Sequence, residues 1–113
     1  MNALNTIPTQ EELKEQTYVC TAIPFDLGKM VMTQGIADII DNNIGSEGSL
    51  GIALIRHKNG DWGNVCIEDK ITNDEATRTG ERVLSEYNLC GERIWIITER
   101  DRSVTTVLLH IEY

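Results

Sequence analysis

The residues best suited to chemistry are concentrated between His57 and Glu75: His57, then Asp61-Trp62-Gly63, then Glu68-Asp69, then Asn73-Asp74-Glu75. An imidazole and several carboxylates in one turn-rich segment are the donor types for a divalent metal or for acid–base work. On that reading His57, Asp61, Glu68 and Asp69 are the candidate catalytic residues of a metal-assisted phosphoester hydrolase. Nothing in the cluster matches a metal-ligand spacing, however, and each residue also has an ordinary structural role. His57 suits the last turn of a helix, Asp61 can bond turn amides, and Glu68 and Asp69 favour a helix N-terminus. Trp62 reads first as a core plug over a helix junction and second as a stacking platform.

A second polar cluster is Thr98-Glu99-Arg100-Asp101-Arg102-Ser103. Glu99 and Arg102 can pair across a turn, while Asp101 and Ser103 can bond backbone amides. The functional alternative makes Arg100 and Arg102 a small positive spot for a phosphate or a partner carboxylate. Trp62, Glu99, Arg100, Asp101 and Arg102 are therefore the binding candidates. No metal or cofactor is expected. Gly45-Ser46-Glu47-Gly48 lacks the Lys-Ser/Thr pair of a phosphate loop, and there is no G-x-S-x-G elbow. The three cysteines, Cys20, Cys66 and Cys90, form no C-x-x-C pair and read as buried reduced thiols.

The elements that must position these residues follow from periodicity. Ile94–Thr98 and Val104–Leu109 are β-branched and aromatic runs around a charged loop, the composition of a hairpin. Arg82–Tyr87 precedes them as a third strand, so the C-terminal part is expected to be a three-stranded antiparallel meander over 82–87, 93–98 and 104–111. Both faces of that hairpin are apolar. One face is expected to take the helices, leaving Trp95 and Ile97, with Thr105, Leu109 or Ile111 beside them, as a second apolar face.

Thr33 caps a first helix over 34–43 with Ile36, Ile39 and Ile40 on one side. A second helix from about Ser49, after a Ser46–Ser49 linker, carries Leu50, Ala53, Leu54 and His57 at helical spacing. Its last turn holds Arg56, His57 and Lys58, which suit the helix dipole, and Gly60 ends it. A third helix over Ile67–Thr79 has a thin apolar face, Ile67 and Ile71, and belongs on the surface. Gly28–Met32 is a short strand or extended lead-in. Residues 1–24 form an N-terminal extension, partly mobile, with a Thr9/Glu12 capping box opening a short helix to Gln16 anchored by Leu13. Tyr18–Ile23 could add an edge strand. Residues 25–113 are a single α+β domain: N-terminal helices packed on the C-terminal meander, with Ile40, Leu54, Ile94, Ile96 and Val107 in the core.

Composition sets the remaining bounds. A chain of 113 residues builds one core, and 41% hydrophobic with 25% charged residues is ordinary for a globular domain. No stretch is long and apolar enough to span a bilayer, and the polar start MNALNTIPTQEELKE has no secretory character, so a cytoplasmic protein is expected. Eighteen acidic against ten basic residues give a net charge of −8, which disfavours nucleic acid and membrane phosphates as direct partners. It suits solubility or a partner with a basic surface.

The chain resembles a family of small uncharacterised proteins carried on bacterial plasmids and integrative elements. The resemblance lies in Arg56-His57-x2-Gly60-Asp61-Trp62-Gly63, Glu68-Asp69-Lys70-x2-Asn73-Asp74-Glu75-Ala76, Arg82-Val83-Leu84-Ser85-x-Tyr87 and Arg93-Ile94-Trp95-Ile96-Ile97-Thr98-Glu99-x-Asp101-Arg102-Ser103-x-Thr105-Thr106, with the terminal Glu112-Tyr113. It covers about residues 54 to 113. It implies a mobile-element origin and a compact α+β fold, and it brings no activity or catalytic residues. In such a setting an acidic protein without a recognisable catalytic set is expected to bind rather than catalyse. Occlusion of a basic surface on a host defence protein is the leading reading. The hydrolase and a homodimeric structural protein are the alternatives.

Overall fold

The computed structural model of the chain describes residues 7, 9, 10, 12 and 17–113. The order of elements is β1 (Lys29–Met32), α1 (Gln34–Asn42), α2 (Ser46–Lys58), α3 (Ile67–Thr79), β2 (Val83–Leu89), β3 (Glu92–Thr98), β4 (Val104–Leu109) and a 3-10 turn over His110–Glu112. The fold is α+β, and its sheet departs from the expected meander. β2, β3 and β4 are antiparallel neighbours, but β1 adds to the far side of β4 in parallel, giving a four-stranded mixed sheet in the order β1-β4-β3-β2. The parallel pairing follows from connectivity. β1 returns to the meander only through α1, α2 and α3, a crossover long enough to reverse direction twice.

Register sets the two faces of the sheet. Val83, Ser85, Tyr87, Leu89, Ile94, Ile96, Thr98, Thr105 and Val107 all turn inward and are buried. Ile36 of α1, Leu50 and Ala53 of α2 pack on one end of this face, with Ile39, Ile40, Leu54 and Leu109 partly buried around them. Ile94, Ile96 and Val107 are core residues as expected, and Ile40 and Leu54 border the core. A second, smaller cluster joins Phe25, Trp62, Ala76 and Val83.

Several local expectations need correction. Ser46–Ser49 is the first turn of α2 rather than a linker, because Ser46 is buried and its hydroxyl bonds the Asn43 carbonyl at 2.7 Å. Thr33 occupies the N-cap of α1 but gives its hydroxyl to Glu112 Oε1 at 2.5 Å instead of to the helix. Ile67 of the thin apolar face is buried as expected, but Ile71 is exposed, and α3 completes its inner face with Ala76 and the polar Asn73, Asp74 and Thr77. Residues 18–23 make no strand. Their backbone is held by side chains, Asp74 on Thr21 N–H (3.0 Å) and Thr77 on Ile23 N–H (3.1 Å). The Thr9/Glu12 capping box is present, with reciprocal bonds of 2.8 and 3.1 Å, whereas Leu13 and Gln16 lie outside the described residues. All three cysteines are exposed rather than buried.

The β2 edge is closed by α3. Leu84 and Glu86 turn their backbone groups away from β3, where unpaired they would invite another strand. The Asn73 carboxamide takes both Leu84 groups, donating to its C=O (2.8 Å) and accepting from its N–H (3.3 Å). Glu86 bonds Trp62 O (3.1 Å) and Asn64 N (2.8 Å). Gly63 permits that approach: its φ is 72°, and a Cβ there would collide with the Glu86 carbonyl. We expect Asn73→Leu to strand two backbone groups and cost about 2–3 kcal/mol in urea unfolding with unchanged m. Asn73→Asp, which keeps the acceptor but sets a second oxygen against the Leu84 carbonyl, should also be destabilised. Equal stability of Asn73→Leu and wild type would show that the edge is closed by something else.

Candidate functional site

The Leu50, Ala53, His57 spacing places the imidazole on the buried face of α2, where its relative exposure is 0%. Nδ1 lies 2.6 Å from Ser85 Oγ and Nε2 lies 2.8 Å from Thr98 Oγ1. Thr98 Oγ1 is 2.7 Å from Thr105 Oγ1, and Thr105 donates to the Leu27 carbonyl at 2.6 Å. A carbonyl can only accept, so the proton directions follow in sequence. Thr105 gives its proton to Leu27, and Thr98 gives its proton to Thr105. Thr98 must then accept from Nε2–H, leaving Nδ1 to accept from Ser85. His57 is therefore the neutral Nε2–H tautomer. Burial first, and the nearby Arg102 charge second, push its pKa down to about 3. It is not the helix-capping cation expected from its place in the last turn of α2.

This arrangement has the residue types of a nucleophile–base pair but not the access. Ser85, Thr98 and Thr105 are each 0% exposed, and both ring nitrogens are taken. Phe25 and Trp62 close the ring edge-on at centroid distances of 5.3 and 5.8 Å. Trp62 is 1% exposed and donates Nε1–H to Asp74 Oδ1 at 2.7 Å, so it presents no stacking surface. It is the core plug.

The other members of the first cluster go elsewhere. Asp61 is at the surface, clamped by Arg56 (2.7 and 3.2 Å), which together with that hydrogen bonding holds its carboxyl below the usual range. Its carbonyl receives the Tyr87 hydroxyl, whose pKa burial pushes up to about 12. Glu68 and Asp69 lie exposed in the first turn of α3. His57, Asp61, Glu68 and Asp69 thus do not converge. Among the described residues no group of three or more His, Cys, Asp and Glu side chains could hold a metal ion.

The hairpin tip divides by residue. Arg100 and Asp101 are exposed, with Asp101 bonding Ser103 N (3.0 Å) and Oγ (2.6 Å). Glu99 pairs loosely with Arg82 at 3.9 Å, and not with Arg102. Arg102, in the left-handed region at φ 60°, folds inward instead. It donates to Glu99 O (3.1 Å) and to Ala76 O (2.9 Å) in the last turn of α3, and lies over the Phe25 ring at 5.1 Å. Arg102 is a lock between hairpin and helix, leaving Arg100 as the outward cation of the tip.

The buried carboxylate of Asp74 was missed as an organising residue. It accepts from Tyr18 Oη (2.7 Å), Thr21 N–H and Trp62 Nε1, and the Cys20 thiol lies 3.7 Å away. Burial and this carboxylate drive the Tyr18 phenol well above its ordinary value. The available signal was an acidic residue seven positions after Ile67 and two before Ala76, on the helix face that packs inward. No protein-family model matches the chain, and no curated protein or solved structure matches it.

The histidine makes a pH prediction. Unfolded, it titrates near its ordinary value of 6.5; folded, it stays neutral down to about 3. Between those values the unfolded chain binds the extra proton, so stability falls as pH falls, by up to about 1.4 kcal/mol per pH unit from this group. Carboxylates add their own loss at the acid end. We expect His57→Gln to be less stable at neutral pH but to lose less on acidification from pH 6.5 to 4.5. Parallel pH–stability curves for the two proteins would refute the neutral buried histidine.

Proposed function

We propose that this protein is a small non-catalytic binding protein of a mobile genetic element that covers a basic surface on a host protein. An inhibitor of a nucleic-acid-targeting defence protein would act in this way. The observation that carries the reading is where the polar chemistry goes: His57 and the inward hydroxyls are spent on one another in the core, while the described carboxylates, Asp74 apart, lie exposed or half-buried. With a net charge of −8, that surface attracts cationic proteins and repels nucleic acid.

The outer side of α3 fits the role best. A shallow cleft of ≈ 370 Å³ runs between α3 and the start of β2, with Asp69 and Glu81 on its rim, Leu84 in its wall and Arg82 as its cation. The adjoining cleft brings Glu75 and the exposed Ile71. The side chain of Asp69 accepts no hydrogen bond from the described residues, whereas Glu81 lies close enough to Arg102 to act on its charge. Lysine or arginine side chains with an aliphatic neighbour match this combination.

Immobilised protein should retain a basic host protein at about 50 mM salt and release it at about 500 mM, where the Debye length falls to a few ångströms. Replacing Asp69, Glu75 and Glu81 with Lys should abolish capture without changing the far-UV spectrum. Capture that is indifferent to salt and to these three charges, or no capture at all, would overturn the reading.

A further inference from the structure

We infer that residues 18–23 are a displaceable strap in a groove of α3 that reads extended backbone, and that the groove takes an extended peptide from a partner once the strap lifts. The bonds that hold the strap carry the argument. Asp74, Thr77 and Arg78 follow one another at i, i+3 and i+4 and so share one side of α3. Asp74 Oδ2 accepts the Thr21 N–H at 3.0 Å, and Thr77 Oγ1 accepts the Ile23 N–H at 3.1 Å. Arg78 donates to the Thr21 carbonyl at 2.7 Å. In an extended chain every second residue turns its N–H and C=O to the same side. Thr21 and Ile23 thus present the half-ladder that a neighbouring strand would take, and a helix face takes it instead.

Recognition of this kind asks little of the side chains. Val19, Ile23 and Pro24 are exposed, Val19 at 74%. The strap side chains closest to α3 are Tyr18, whose hydroxyl donates to Asp74 at 2.7 Å, and Thr21, whose hydroxyl accepts from Arg78 at 2.8 Å. An extended segment with a hydroxyl-bearing aromatic residue three positions before its first bonded amide therefore meets the same donors and acceptors. That is the chemical class of the partner segment.

The strap is also built to open by itself. Between Val19 and Pro24 no backbone group bonds another backbone group among the described residues, and of these residues Ala22 packs against the smaller core cluster. Phe25 is the fixed end. It is buried and stacked on Trp62 at 6.0 Å, with its N–H on the Lys58 carbonyl (3.3 Å) and its carbonyl on Lys58 Nζ (3.0 Å). Lifting residues 18–23 about Pro24 and Phe25 leaves the His57 network closed. It returns Asp74 Oδ2, Thr77 Oγ1 and the Arg78 guanidinium to water, while Trp62 keeps Asp74 Oδ1 at 2.7 Å. Beside the closed strap, a cleft of ≈ 310 Å³ with Ile71, Glu75 and Arg78 in its walls gives an incoming segment its first contacts.

The tether sets the competition. A strap joined to its own groove acts at an effective concentration on the order of millimolar, so a free peptide competes well only where the strap is weakened. The peptide's apparent affinity is its intrinsic affinity scaled by the open fraction. The inference is independent of the basic-partner reading, which rests on Asp69, Glu75 and Glu81 and is tested by salt-sensitive capture.

Hydrogen exchange on the full chain should show the Thr21 and Ile23 amides exchanging at least about tenfold faster than those of Ile94 and Ile96, through an opening that precedes global unfolding. A fluorescein-labelled peptide of residues 17–24, carrying Cys20→Ser, is the probe for the groove. It should bind the full chain carrying Tyr18→Phe and Thr21→Val at least about tenfold more tightly than wild type. The same peptide N-methylated at positions 21 and 23 cannot donate the two bonds and should bind neither chain. Thr77→Val added to the weakened chain should abolish binding, and Arg78→Ala gives the same reading should that variant fail to fold. Strap amides that exchange only together with β3, or equal peptide affinity for the two chains, would overturn the inference. So would binding that survives N-methylation or both groove variants, or no binding at up to about 1 mM peptide.

Discussion

The fold depends on keeping one imidazole neutral and out of water. Burying His57 is tolerable only if both ring nitrogens are paired, and the pairs come from two strands at once, Ser85 on β2 and Thr98 on β3. Thr98 then needs Thr105 on β4, and Thr105 needs the Leu27 carbonyl at the entry to β1. A single proton direction runs through all five groups. Each hydroxyl sits inward only in the observed register, so a slip of one residue would turn it to the far face and strand the ring. The network is thus a constraint on strand pairing as much as a contribution to stability.

A second buried polar group works on the same principle at a different seam. Asp74 gathers Tyr18, Thr21 and Trp62, which places the segment before β1 over the smaller core cluster. Arg102 reaches the same region from the opposite side, bonding the carbonyl end of α3 and covering Phe25. The hairpin tip, the helix and the N-terminal strap are joined by polar contacts rather than by a large apolar interface. That explains why α3 looks unanchored when judged by hydrophobic spacing alone. Its inner face is built from Asn73, Asp74 and Thr77, each committed to a backbone or side-chain partner.

This accounts for what could be read in the sequence and what could not. The helices α1 and α2, the bounds of α3 and the three C-terminal strands are legible, because apolar periodicity and Gly stops at Gly60 and Gly80 mark them directly. The strand β1 is legible as a short strand or lead-in over Gly28–Met32, but its parallel pairing with β4 is not, since four residues carry no signal of which neighbour they will find. His57 was legible as a member of the apolar face of α2 and illegible as a neutral hub, because its partners are 28 and 41 residues away. A cluster of acids and a histidine in sequence suggests a site. Local geometry disperses it, since helix termini, turns and a buried ring each draw one member away.

The outer sheet face shows how much hangs on parity. From composition, Trp95 and Ile97 belong with Thr105 and Leu109, since all four are apolar or β-branched and near in the hairpin. The register puts Ile97 opposite Thr106 and Trp95 opposite Leu108, so Thr105 and Leu109 turn to the helices, and Ile111 leaves the sheet altogether in the 3-10 turn. The charged loop Glu99–Ser103 fixes that parity through its length and through the left-handed Arg102, whose inward side chain ties the turn to α3. The guanidinium that looked like a ligand for an outside anion therefore acts one step earlier. By setting the turn, it selects which half of β4 meets the core and which half, with Val104, Thr106 and Leu108, is left to form the outer surface.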